Sequence, residues 1–150
     1  MTEKPANKQS QPEWTAFSEP AHFPAGIPGF EDHKNFQLVT RSDLRPFLWL
    51  RSLDDPEVSL PVIDCLLLKK PLLPEINREV LNQIGDPATE KFDAYYVLRV
   101  DSTAGTITVN TKAPVVISAD TRRGYQVFMD HPDLRMDEPL ANLVPTQKDP

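Results

Sequence analysis

Apolar and polar side chains alternate along most of this chain in short runs. Phe36 and Leu38 alternate with Asn35 and Gln37, and Val58, Leu60 and Val62 with Ser59 and Pro61. The longest series is Phe92, Ala94, Tyr96, Leu98 and Val100 against Asp93, Tyr95, Val97 and Arg99, and 106–110 repeats the pattern through Ile107 and Val109. A period of two places one set of side chains on a core and the other toward solvent, as in antiparallel strands. Phe47-Leu48-Trp49-Leu50 and Val115-Val116-Ile117 have no polar alternation and read as strands buried on both faces.

Turn-forming residues punctuate these runs. Asp54-Asp55-Pro56 breaks one pair, Asp101 to Gly105 reads as a hairpin loop, and Arg122-Arg123-Gly124 joins two further runs. Pro61 within a strand pattern points to an edge or a bulge, because proline cannot donate to a ladder. One segment departs from the period of two. Ile76, Val80 and Ile84 recur every fourth residue beside Leu81, with Pro74 and Glu75 at the start and Gly85 at the end. That spacing predicts one short helix near 74–84. The fold class that follows is all-β, mainly antiparallel, with one short α-helix. The boundaries are a disordered tail over 1–13, which has no large apolar side chain, a single domain over 14–140, and a flexible end over 141–150.

Composition narrows the function. Sixteen prolines in 150 residues exclude a helical bundle, since each internal proline costs a helix about 3 kcal/mol. The formal charge of −6 argues against a nucleic-acid binder and for a basic protein partner. A single cysteine, Cys65, allows neither an intrachain disulfide nor a cysteine cluster for zinc, and reads as a small buried residue. No apolar run approaches the ~18 residues of a membrane span, and the polar start lacks a signal sequence. A cytoplasmic protein is the expectation.

Enzymatic signatures are missing. His22, His33 and His131 are not at metal-ligand spacing, and there is no phosphate-binding glycine loop and no nucleophile elbow. Asp54, Asp55 and Glu57 sit on a turn where nothing suggests the burial that would raise a carboxylate for acid–base work. The doublets Lys69-Lys70 and Arg122-Arg123 read as solvated surface. The most distinctive stretch is Phe23-Pro24-Ala25-Gly26-Ile27-Pro28-Gly29-Phe30. Its Pro28-Gly29 pair matches the central positions of a type II turn. Phe23, Ile27 and Phe30 either anchor this loop to a core or offer an apolar contact surface. In Asn110-Thr111-Lys112-Ala113-Pro114-Val115-Val116-Ile117, a polar bend leads into a buried strand.

These two stretches resemble motifs of the FliW family of flagellar assembly factors. The family's Phe-Pro-x-Gly-Ile/Leu-Pro-Gly-Phe motif is complete from Phe23 to Phe30, and its second motif matches at Asn110, Ala113, Pro114, Val116 and Ile117. Thr111 stands where the family carries leucine, and Ser118 where it carries asparagine. Ser52 to Glu57 and Gly124 to Phe128 agree as well, so the resemblance runs from about Ala21 to Leu134. It implies a small β-barrel-like domain without catalysis or cofactor, monomeric when free. It also implies two alternating partners, flagellin and CsrA, an RNA-binding repressor of flagellin translation that such proteins antagonise. The candidate partner-binding residues are then Gly26, Ile27, Pro28, Gly29, Phe30, Asp54, Asp55, Glu57, Asn110, Ala113 and Pro114. The competing reading is a small-ligand-binding β-barrel or an uncharacterised enzyme using Asp54, Asp55 and His131.

Overall fold

The computed structural model of the chain describes residues 13–69, 81–82, 85–86 and 90–145. Among them the alternating runs become nine strands of one sheet. These are β1 (Thr15–Ala16), β2 (Ala21–His22), β3 (Asn35–Thr40), β4 (Leu48–Ser52), β5 (Ser59–Asp64), β6 (Phe92–Asp101), β7 (Thr106–Ser118), β8 (Gly124–Gln126) and β9 (Glu138–Pro139). The strands pair antiparallel in the order β1-β3-β4-β5-β6-β7-β8, with β2 also on β3 and β9 also on β7. From β3 to β8, sequence neighbours are sheet neighbours, the arrangement that hairpin connections produce. The helix expected near 74–84 lies outside the described residues except for Leu81 and Asn82, which are helical, and Leu81 packs on the core. The N-terminal tail expectation also lies outside them, up to residue 12. At the other end Leu140–Asn142 forms a 3-10 turn, and Leu143 rests on the core while its carbonyl accepts from Lys69 N at 2.8 Å.

The sheet does not close into a barrel. Its two ends meet at one parallel bridge, His22 to Arg123, beside the bond from His22 N to Arg122 O at 2.8 Å. Both edges here are short, and Pro20 has no N–H to extend a ladder. The Arg122 side chain bridges the seam instead. Its guanidinium donates to Glu19 O at 2.7 Å, Ser18 Oγ at 3.1 Å and Pro20 O at 3.4 Å. Arg122 is therefore structural rather than simply solvated, contrary to the sequence expectation for that doublet.

Alternation along the central strands separates two cores rather than a core from solvent. On one face Ile63, Ala94, Tyr96, Leu98, Val109 and Val116 pack together. On the other, Val62, Tyr95, Val115 and Ile117 pack with Phe23, Ile27, Phe36, Leu38 and Leu50. Period two separates the faces of a strand but does not say what covers each. Here the second face is covered by the sheet's own N-terminal strands and the loop after β2. Pro61 pairs with Trp49 on β4, and the β5–β6 ladder begins only at Val62, so β5 is locally an edge at the proline.

The segments 106–110 and 115–117, separate in the sequence reading, form the single strand β7. They are offset by a bulge. Between the pairs Tyr95–Val115 and Val97–Asn110, β6 contributes only Tyr96 and β7 contributes 111–114. Bulges accommodate proline because they remove a residue from the ladder, and Pro114 sits there fully buried.

Candidate functional site

The Phe23–Phe30 motif forms the loop joining β2 to β3, closed at its base by Phe23 N to Lys34 O at 2.7 Å. Three successive turns shape it, through Gly26 N to Phe23 O, Phe30 N to Ile27 O and His33 N to Phe30 O, at 2.7–3.0 Å. In the middle turn Gly29 has φ +92°, and the 2.7 Å bond spans it, as a type II turn requires. Gly26 also has positive φ, +71°, and a Cβ there would lie 2.7 Å from Glu31 O. Phe23 and Ile27 are fully buried, and Phe23 packs edge-on against Phe36 at 5.3 Å. The motif thus divides in two. Phe23, Gly26 and Ile27 anchor the loop, while Pro28 and Gly29 are exposed and Phe30 is half-buried against His33.

The acidic turn after β4 lies against this loop. Asp54 Oδ2 accepts from Lys34 N at 3.0 Å and Asn35 N at 3.3 Å. These backbone donors hold its carboxyl below the usual aspartate range. Buried Ser52 is the hinge of the turn. Its Oγ accepts from Asp54 N at 3.0 Å and Asp55 N at 3.1 Å and contacts His33 Nδ1 at 2.8 Å. Asp55 accepts from Glu57 N, and Glu31 accepts from Gly29 N, which lowers the Glu31 pKa. Pro28 and Gly29 are thus exposed at the tip beside Glu31, and the exposed carboxylates Asp54, Asp55 and Glu57 lie on the turn that caps the base of the same loop at Lys34 and Asn35.

Asn110, Ala113 and Pro114 are not part of that surface. They build the β7 bulge, where Asn110 Oδ1 accepts from Lys112 N at 3.0 Å. The bulge binds the strap 126–135. Met129 N donates to Lys112 O, Val127 N to Pro114 O, and Gln126 Nε2 to Ala113 O. Thr111 Oγ1 accepts from Arg135 N at 2.9 Å and donates to Arg135 O at 3.0 Å. Beside the bulge lies an open cleft of about 590 Å³, lined by Tyr96, Thr111, Met129 and Leu134 below and by Lys69, His131, Asp133 and Glu138 at the rim. The cleft itself is not legible in the sequence, although Asp130, Asp133, Asp137 and Glu138 against the single Arg135 mark 130–138 there as the alternative acidic surface to the Asp54–Asp64 stretch.

The enzymatic constellation is not assembled. His131 lies at the cleft, whereas Asp54 and Asp55 cap the turn after β4. Burial pushes the Cys65 thiol up to about 12, too high for a thiolate nucleophile at neutral pH. Among the described residues no three of His, Cys, Asp and Glu gather as metal ligands, and no helix is long and apolar enough to cross a membrane.

The described residues thus define an antiparallel β protein whose distinctive side chains lie on solvent-facing loops and one open cleft. Comparison with known proteins identifies which such protein it resembles. The model of the FliW protein family matches residues 10–140, and the chain belongs to that family. The flagellar assembly factor FliW of Thermosipho africanus is 34% identical over 122 residues, covering 81% of this chain and 84% of that protein. The Thermotoga maritima protein of the same name is 31% identical over 127 residues, 84% of this chain and 85% of its own. A crystal structure of the flagellar assembly factor FliW superposes with a TM-score of 0.72 at 25% identity, covering 84% of this chain and 88% of that one.

Proposed function

We propose that this chain is a non-enzymatic flagellar assembly factor acting in the cytoplasm. It binds flagellin and, alternately, CsrA, and so couples flagellin secretion to flagellin translation. Family membership across residues 10–140 carries the reading. Physical features support it. The rigid tip from Pro28 to Phe30 gives an apolar contact that costs little entropy to order on binding. The exposed carboxylates Glu31, Asp54, Asp55 and Glu57 and the charge of −6 suit a basic RNA-binding partner, whose association they would accelerate. Gly26 and Ile27, being buried, shape this surface from below, and Asn110, Ala113 and Pro114 act through the β7 bulge.

A pull-down with tagged protein from flagellated cells tests the reading. Flagellin and CsrA are the expected captures, and the absence of both overturns it. Stopped-flow kinetics with Asp55→Lys plus Glu57→Lys test the acidic turn. CsrA association should slow about tenfold at low salt, with the difference shrinking as salt rises. If these residues only cap the turn, both partners and the melting temperature fall together.

A further inference from the structure

We propose that the cleft beside the β7 bulge is a second docking site, taking an apolar side chain from a lysine- or arginine-bearing segment of a protein partner. The proposal rests on reading the chain as a protein-binding regulator.

The floor is apolar and already formed. Tyr96, Met129 and Leu134 are each less than a tenth exposed, yet all three border the open volume. Its walls are fixed by bonds between distant segments: Thr111 to Arg135, Met129 N to Lys112 O, and Lys69 N to Leu143 O. A volume of about 590 Å³ accommodates a large side chain with adjoining backbone.

The rim sets the sign of the occupant. Asp133 is 88% exposed, with a 4.0 Å contact to His131. Glu138 faces the cleft, held by Asn142 Nδ2 at 2.9 Å. The one arginine of the 130–138 stretch, Arg135, is paired with Asp137 at 3.3 Å. Lys69 is the opposing cation at the rim and leaves the stretch net negative. Cationic groups beside an apolar anchor complement this arrangement. The same strap carries Phe128 and Met136, 66% and 64% exposed. Neither lines the cleft itself: the Lys112 ammonium lies over the Phe128 ring at 5.8 Å, while Met136 lines a second groove with Asp137, the residue before Glu138. Apolar surface therefore continues along the strap, which fits a polypeptide better than a small molecule.

The test is fluorescence anisotropy with the full chain and a fluorescein-labelled dodecapeptide of alternating leucine and lysine, against a matched peptide with glutamate for lysine. Saturable binding of the lysine peptide is expected, at least tenfold tighter than the glutamate peptide. Asn142→Trp, which fills the cleft without changing charge, should weaken it tenfold or more, and so should Asp133→Lys with Glu138→Lys. Glu19→Lys with Asp120→Lys makes the same charge change elsewhere and should bind within twofold of wild type. Melting curves establish that each variant folds. Should Asn142→Trp fail to fold, the cleft charge pair decides alone. Equal binding of the two peptides, or wild-type affinity in the folded cleft variants, overturns the proposal. Loss of flagellin and CsrA from the pull-down would overturn the functional reading and leave the peptide result standing.

Discussion

The Phe23–Phe30 loop and the cleft beside β7 are both preformed surfaces, held by opposite means. The loop is fixed locally. Its turn bonds span three residues, and two glycines supply the positive φ that the path demands. The cleft is fixed from afar. Thr111 and Arg135, 24 residues apart, share three hydrogen bonds, and β7 shifts register by three residues to make room. A locally determined surface should fail through backbone strain. A surface assembled at long range should fail through unpaired polar groups, while its neighbour stays intact.

The most damaging single change should be Gly26→Ala. It combines a left-handed φ with a Cβ only 2.7 Å from the Glu31 carbonyl oxygen. About 3 kcal/mol of stability should be lost, read as a lower denaturant midpoint. Gly29→Val comes next. Nothing lies within 4 Å of a Cβ there, so the cost is strain alone, about 1–3 kcal/mol. Gly29→Asn should recover much of it, because asparagine tolerates this conformation. A Gly29→Val midpoint equal to wild type would contradict local strain as the loop's determinant.

On the other side, Thr111→Val should cost about 1–2 kcal/mol by leaving the Arg135 amide without its partner. Amide exchange should accelerate in the 129–135 strap while the loop's own turn amides stay protected. The smallest effect is expected at exposed Asp54. Its folded-state pKa is lowered by the Lys34 and Asn35 amides, so its contribution is complete above the unfolded aspartate pKa and is lost as pH falls through the folded value. The melting difference between wild type and Asp54→Ala should therefore hold from neutral to mildly acidic pH and vanish in strong acid. A difference that persists there would mean the aspartate acts through packing rather than charge.

What the sequence determined by itself is whatever depends on neighbours in the chain. Pro28-Gly29 dictates its own turn, because proline and glycine restrict backbone angles wherever they sit. Alternation in 92–100 dictates a strand, and Asp54-Asp55-Pro56 marks a turn. The Phe23–Phe30 motif, legible as a unit, also carried the family assignment. Only tertiary structure decided what covers each face of β6. Tyr95 and Tyr96 look alike in sequence and are both buried, but in different cores. It also decided that 106–118 is one strand, since the bulge exists only where Tyr96 meets 111–114. Arg122 closes the seam through carbonyls more than 100 residues earlier, and the cleft joins residues from 69 to 143. Such contacts depend on which distant segments the fold brings together, a matter of topology and loop closure that no local pattern encodes.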